Sequence, residues 1–152
     1  MGIREVEQYF EDKQLPFKII VLDESSATVD LAASALGVEP ALIAKTLAIH
    51  LKEQDIILVT SGTSRISNKK MKAAFHCKPK MMNYEETLTF TGHPVGGVCP
   101  FALREGTPIY LDESLKAFVH IYPAAGSGNS AVKLTPQQLA EVTQGHWLDL
   151  CE

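Results

Sequence analysis

Residues 45–60 read Lys45-Thr46-Leu47-Ala48-Ile49-His50-Leu51-Lys52-Glu53-Gln54-Asp55-Ile56-Ile57-Leu58-Val59-Thr60. An extended chain alternates its side chains, so Lys45, Leu47, Ile49 and Leu51 share one side while Thr46, Ala48 and His50 face the other. The run from 56 to 60 is apolar until Thr60. Two strand-like runs split by the polar residues 52–55 predict a β-hairpin.

The flanking sequence supplies helices and further strands. Ile3, Val6, Tyr9 and Phe10 recur at helical spacing, which predicts an amphipathic helix over residues 2–14, closed by Pro16 and followed by a strand at 17–22. Thr28 is placed to cap a second helix that Gly37 stops, and a single helical turn is expected at 40–43. A basic helix is expected at 68–75 with Met71, Ala74 and Phe75 on one face, and a short helix at 83–90. Further strands are expected at Val98 and at 108–111, 118–122, 131–134 and 146–150. The last helix has the fullest start signal: Thr135 as N-cap, Pro136 at N1 and Gln138 for a capping box, with the stop at Gly145. The irregular interleaving predicts an α+β, or mixed α/β, fold. Residues 1–152 read as a single domain whose mixed, largely antiparallel central sheet is flanked by helices, not as a doubly wound parallel sheet.

Composition limits the function classes. At 152 residues the chain suits one compact core, and no apolar run approaches the roughly eighteen residues of a membrane span. The start carries neither a signal-peptide core nor a myristoylation serine, so a cytoplasmic protein that does not engage membranes is expected. Three cysteines without a CxxC pair predict reduced thiols and no metal site. A formal charge of −4 argues against coating DNA or long RNA. The charge is nevertheless segregated. Residues 56–84 hold Arg65, Lys69, Lys70, Lys72, Lys78 and Lys80 with no acidic residue, leaving eight basic against eighteen acidic residues elsewhere. Such a patch suits a short anionic ligand or one end of an RNA; a solvated helix face is the alternative.

Three features carry candidate chemistry. Lys45 shares an apolar strand face, where it either snorkels to water or projects a cation into a pocket of low dielectric. The segment Gly92-His93-Pro94-Val95-Gly96-Gly97-Val98-Cys99-Pro100 is either a turn or a clamp of uncovered main-chain N–H groups for a carbonyl or oxyanion. Ala124-Ala125-Gly126-Ser127-Gly128-Asn129-Ser130 is either a flexible loop or a wall that a ligand approaches closely. Cys99 with His93 raises a thiol-nucleophile reading, although one apolar cysteine more often fills a core. His76, Cys77, His93 and Cys99 lack the spacing of a tetrahedral zinc site, and no P-loop or dinucleotide fingerprint is present.

These segments, in this order, resemble the YbaK/EbsC family, the aminoacyl-tRNA deacylases related to the editing domain of bacterial prolyl-tRNA synthetases. The resemblance spans almost the whole chain. It is carried by Ser26-Ala27-Thr28 with Leu36-Gly37-Val38, by Ile43-Ala44-Lys45-Thr46-Leu47, by Gly92 with residues 96–101, and by residues 126–134 followed by Thr135-Pro136. It implies the editing-domain fold and hydrolysis in trans of the ester that joins a mischarged small amino acid (serine or threonine, alanine, or cysteine) to tRNA, with no cofactor. In that reading Lys45, Gly96 and Gly97 form the catalytic set. Leu22, Thr46, His93, Val98, Ala124, Gly126, Ser127, Gly128, Asn129 and Ser130 bind substrate, and Lys69, Lys70 and Lys72 steer the acceptor end. The implied partners are the mischarged tRNA and an aminoacyl-tRNA synthetase. The cysteine-removing branch carries a Gly-Lys-Arg-Gly-like turn where this chain has Gly126-Ser127-Gly128-Asn129, and the alanine branch has a histidine that residues 123–131 lack. Ser127, Asn129 and Ser130 therefore point toward serine or threonine. The alternative is a non-catalytic module of the same fold that binds a tRNA end or a synthetase.

Overall fold

The computed structural model describes residues 2–152. In chain order it contains α1 (Ile3–Asp12), β1 (Ile19–Val21), α2 (Val29–Leu36), β2 (Ile43–His50), β3 (Asp55–Ser61), α3 (Asn68–Phe75), β4 (Lys80–Met81) and α4 (Tyr84–Thr91). There follow β5 (Ile109–Asp112), β6 (Tyr122–Pro123), β7 (Ser130–Val132), α5 (Pro136–Thr143) and β8 (His146–Leu148), with 3-10 turns at Pro40–Leu42 and Glu113–Ala117.

The expected hairpin is the centre of a mixed sheet. β2 and β3 pair antiparallel from Ala44↔Ser61 to His50↔Asp55, and the Leu51 N–H closes the loop on Gln54 O at 2.8 Å. The sheet runs β4-β2-β3-β5-β8, with β3–β5 and β5–β8 parallel and β6 lying parallel to β2 on the edge that β4 also uses. Ile56, Ile57, Leu58 and Val59 are all fully buried, because β3 is covered on both faces. Ile57 and Val59 meet Val6 and Phe10 of α1, Phe101 and Leu139, whereas Ile56 and Leu58 meet Met71 of α3 and Leu150. That double coverage explains a run of apolar residues without alternation. A two-stranded sheet, β1 with β7, packs Ile19 and Val132 onto the first of these clusters.

Local signals place the helices. Thr28 Oγ1 accepts the Leu31 N–H and Gly37 adopts φ 69°, while Thr135 and Gln138 form the reciprocal capping box of α5. Three expectations are corrected. Residues 92–100 contain no strand at Val98, because a turn at 94–97 takes up the main chain. Within the expected 118–122 strand only Ile121, in a bridge to Leu134, and Tyr122, at the start of β6, pair, since the preceding 3-10 turn consumes the connection after β5. Finally α5 closes on Gln144, at φ 56°, one residue before Gly145, whose N–H bonds Thr143 Oγ1 at 3.2 Å. Among the described residues no helix is long and apolar enough to cross a membrane.

Two polar clusters lock these elements together. Asp112, 1% exposed at the end of β5, accepts the Leu150 N–H at 2.7 Å and the Ser114 N–H at 2.9 Å. Ser114 Oγ in turn accepts the Ser61 N–H at 3.1 Å. Burial pushes the Asp112 carboxyl up, but its hydrogen bonds outweigh burial and hold it below the usual value. At the hairpin end, His50 Nδ1 lies 2.7 Å from Asp55 Oδ1 and its Nε2 2.8 Å from Glu86 Oε2. Both ring nitrogens can donate only in the imidazolium, so this contact favours the cation and ties α4 to the hairpin.

Asp112→Ala leaves two N–H groups without their acceptor in a closed environment and is expected to cost about 2–4 kcal/mol in urea unfolding. The His50 contacts with Asp55 first, and then Glu86, raise its pKa. The stabilisation is therefore full below the unfolded value of about 6.5 and fades as pH rises through the higher folded value. Melting curves of wild type and His50→Gln should differ most at pH 5–6 and converge at alkaline pH; a constant gap would contradict the imidazolium clamp.

Candidate active site

The outer edge of β2 is paired only at its ends. Near its C-terminal end β4 pairs with Ile49 and His50, and the Met82 N–H bonds Ala48 O at 3.0 Å; at the start β6 pairs with Ile43 and Ala44. Main-chain direction alternates along a strand, so the N–H and C=O of Thr46 point the same way as those of Ala48, into the gap between β4 and β6. A cavity of about 250 Å³ opens there. Its floor is residues 43–48, and its walls are residues 26–29 with Ala32 and Leu36 of α2, Val95, Gly96 and Val98 of the glycine loop, Met82 and Thr87 of the β4–α4 region, and Ala124, Ser130 and Ala131.

Close packing of glycines shapes two of these walls. The Gly97 N–H bonds Pro94 O at 2.9 Å, turning the chain so that Gly96, at φ 97°, sits against Ala27, where a Cβ would approach the Ala27 Cβ to 2.9 Å. Gly97 O accepts the Gly126 N–H at 3.0 Å, and a Cβ on Gly97 would meet Ser127 N at 2.5 Å. The two loops are thus in main-chain contact. On its other side the 126–130 loop is held by Ser26 N–H to Gly128 O, Leu22 N–H to Asn129 O, both 2.7 Å, and Asn129 Nδ2 to Leu22 O at 3.2 Å. Ser127 Oγ lies 2.8 Å from Asn129 Oδ1 and 2.7 Å from Ser130 Oγ.

Lys45, Thr46, Gly96, Val98, Ala124 and Ser130 therefore line one cavity, whereas Gly97, Gly126, Ser127, Gly128, Asn129 and Leu22 stand behind them and build the walls. The Gly97 N–H is spent on Pro94; those of Gly96 and Val98 have no partner among the described residues. His93 is 1% exposed and outside the cavity lining, with Nε2 donating to Phe101 O at 2.7 Å; burial lowers its pKa and keeps the ring neutral. Cys99 is fully buried, and burial pushes its thiol up to about 12, leaving almost no thiolate for nucleophilic attack.

The Lys45 side chain follows the strand alternation to the face of Leu47 and Ile49, and its Nζ donates to Ser64 O at 2.6 Å at the end of the turn after β3. Burial lowers its pKa. α3 packs on this same face through Met71. Lys69 and Lys72 are exposed on α3, Lys70 bonds Asp149 Oδ1 at 2.8 Å and Cys151 O at 2.6 Å, and none of the three lines the cavity. Ser26, Thr28, Met82 and Thr87 line it without having been singled out individually as ligand contacts by the sequence reading; Ser26 and Thr28 lie in the Ser-Ala-Thr motif, whose only local signal is helix capping.

The chain is 40% identical over 154 residues to the uncharacterized Bacillus subtilis (strain 168) protein YwhH, covering 100% of this chain and 98% of that one. Among solved structures it superposes on a candidate trans-editing enzyme for prolyl-tRNA synthetase with a TM-score of 0.90 at 28% identity, over 99% of this chain and 96% of that one. It superposes on hypothetical protein APE2540 with a TM-score of 0.89 at 28% identity, over 97% and 99%. The aminoacyl-tRNA editing domain family matches residues 23–142, a span that contains every wall of the cavity. With that span matched and the sheet, glycine loop and cavity arranged around it, the chain belongs to the aminoacyl-tRNA editing domain family.

Proposed function

We propose that the protein is a free-standing aminoacyl-tRNA deacylase that hydrolyses the ester of a mischarged small amino acid at the acceptor end of tRNA. The observation that carries this reading is the cavity on the half-open edge of β2, small and mainly apolar, with unpartnered main-chain N–H groups at Gly96 and Val98 on its wall.

An aminoacyl ester is already activated, so catalysis requires polarisation of the carbonyl oxygen and placement of a hydroxyl. The aminoacyl group enters the cavity with its carbonyl toward the Gly96 and Val98 N–H groups, aided by the positive end of the α2 dipole at Thr28 and Val29. Water adds to the carbonyl carbon, the developing oxyanion is held by those donors, and the C–O bond to the ribose breaks. The ribose oxygen takes the proton that water gives up. The ammonium of Lys45 keeps two N–H donors beyond its bond to Ser64 and anchors the terminal adenosine at the rim. Lys69 and Lys72, exposed on α3, which packs on the same face of the sheet as Lys45, extend the positive surface toward the acceptor stem, whereas Lys70 is held by Asp149 and Cys151 O. Gly97 acts as a positioning residue through its contact with the 126–130 loop.

Lys45→Ala should remain folded and lose on the order of 10²-fold in deacylation rate, the range for an ester displaced from its reacting position. Normal turnover in that variant would remove lysine from the mechanism. Gly97→Ala must displace Ser127, so its kcat/KM should fall about tenfold or more together with a lower Tm, consistent with misplacement of reacting groups. Alanyl-, seryl-, threonyl- and cysteinyl-tRNA form the deciding substrate panel: a hydrolase accelerates loss of at least one ester, whereas a non-catalytic binder of the tRNA end protects them all.

A further inference from the structure

Among the described residues, two hydroxyls are closed off from solvent without a hydrogen-bond partner, Ser26 Oγ and Thr46 Oγ1, and both residues line the cavity. Four other buried hydroxyls are engaged. Thr60 donates to Ser61 O, Ser61 to Ala41 O, Thr91 to Thr87 O, and Ser130 Oγ lies 2.7 Å from Ser127 Oγ. An unmatched hydroxyl is costly to bury, so two of them in one small cavity are the mark of a wall that expects a polar ligand.

We propose that Ser26 and Thr46 are specificity-determining residues that select a β-hydroxy amino acid, serine or threonine, on the ester. The inference rests on the deacylase reading above and names its substrate class. Ser26 is 6% exposed and sits where the 25–28 segment is pinned, by the Ser26 N–H to Gly128 O on one side and the Ala27 N–H to Ser25 Oγ at 3.2 Å on the other. Thr46 belongs to β2, whose register with β3 is fixed on both sides of it by Lys45↔Thr60 and Leu47↔Leu58. Both side chains thus stand on rigid main chain. Much of the remaining lining is small and apolar, including Ala27, Ala32, Ala44, Ala48 and Ala124, and offers nothing to a substrate hydroxyl.

A hydroxyl both donates and accepts, so a serine or threonine side chain can satisfy both Ser26 and Thr46. An alanyl group leaves both unmatched, and a cysteinyl thiol bonds them weakly. Sites built to hydrogen-bond a substrate hydroxyl reject the analogue that lacks it far more strongly than apolar pockets reject a missing methylene. The competing occupant of these hydroxyls is the α-ammonium, which all aminoacyl esters share.

The test compares kcat/KM on seryl-, threonyl-, alanyl- and cysteinyl-tRNA for wild type, Ser26→Ala, Thr46→Val and the double variant, with melting curves for each. Wild type should prefer the seryl or threonyl ester over the alanyl ester by at least tenfold. Each substitution should cost at least ten times more on the seryl and threonyl esters than on the alanyl ester, and the double variant should lose the preference. Neither single substitution should lower the Tm, because each removes a hydroxyl without a partner. Equal losses on all four esters would assign the hydroxyls to the shared ammonium and overturn the proposal. So would a wild type that favours alanyl or cysteinyl esters, or a fall in Tm of several degrees. Each of those results leaves the deacylase reading standing, whereas inertness toward all four esters removes that reading itself.

Discussion

The structure depends on one unequal pairing: β2 is hydrogen-bonded to β3 along its whole length but covered on its other edge only at its two ends. Unpaired main-chain groups at a strand edge demand partners, and β4 and β6 supply them for residues 43–44 and 48–50 alone. What is left between them is a short, rigid length of open edge backed by a fully buried strand. A cavity placed there inherits the precision of the sheet, since moving its floor would require breaking the β2–β3 register.

The rest of the cavity is made by loops held against that floor, and main-chain contact does the holding. The bond from Gly126 N–H to Gly97 O joins the glycine loop to the small-residue loop, and those from Ser26 and Leu22 join the small-residue loop to the segment before α2. Three stretches far apart in sequence are thereby joined, and the contact of Gly96 with Ala27 closes them into one ring with hardly any large side chain involved. The arrangement fits the chemistry of ester hydrolysis, in which uncovered N–H groups near a carbonyl matter more than a titrating side chain. It also explains why the two conspicuous side chains of the glycine loop, His93 and Cys99, are turned into the core, where one is neutral and the other a protonated thiol.

Lys45 illustrates how a single residue divides its parts between two environments. Its main chain belongs to the open strand, whereas its side chain goes to the opposite face and meets Ser64 O. The turn that carries Ser64 is itself tied to the C-terminal segment, through Ser67 N–H to Leu150 O and Glu152 N–H to Arg65 O, and that segment is bound to Asp112. The ammonium is therefore set by a chain of hydrogen bonds ending in a buried carboxylate on β5, well away from the cavity.

The sequence by itself determined the parts whose signals are local. The hairpin follows from two strand runs around a polar break, α2 from Thr28 and Gly37, α3 from the spacing of its apolar residues, and α5 from the Thr135, Pro136 and Gln138 signature. Each is decided by side-chain-to-backbone bonds or periodicity within one turn or two. Tertiary structure alone decided the parallel pairing of β5 with β3 and of β8 with β5, and the two-residue strand β4, because their partners lie tens of residues away. It also decided which members of the glycine and small-residue loops face the cavity and which stand behind it, and it brought Ser26 beside them. A hydroxyl is left without a partner by its surroundings in three dimensions, and no pattern of neighbours along the chain encodes that.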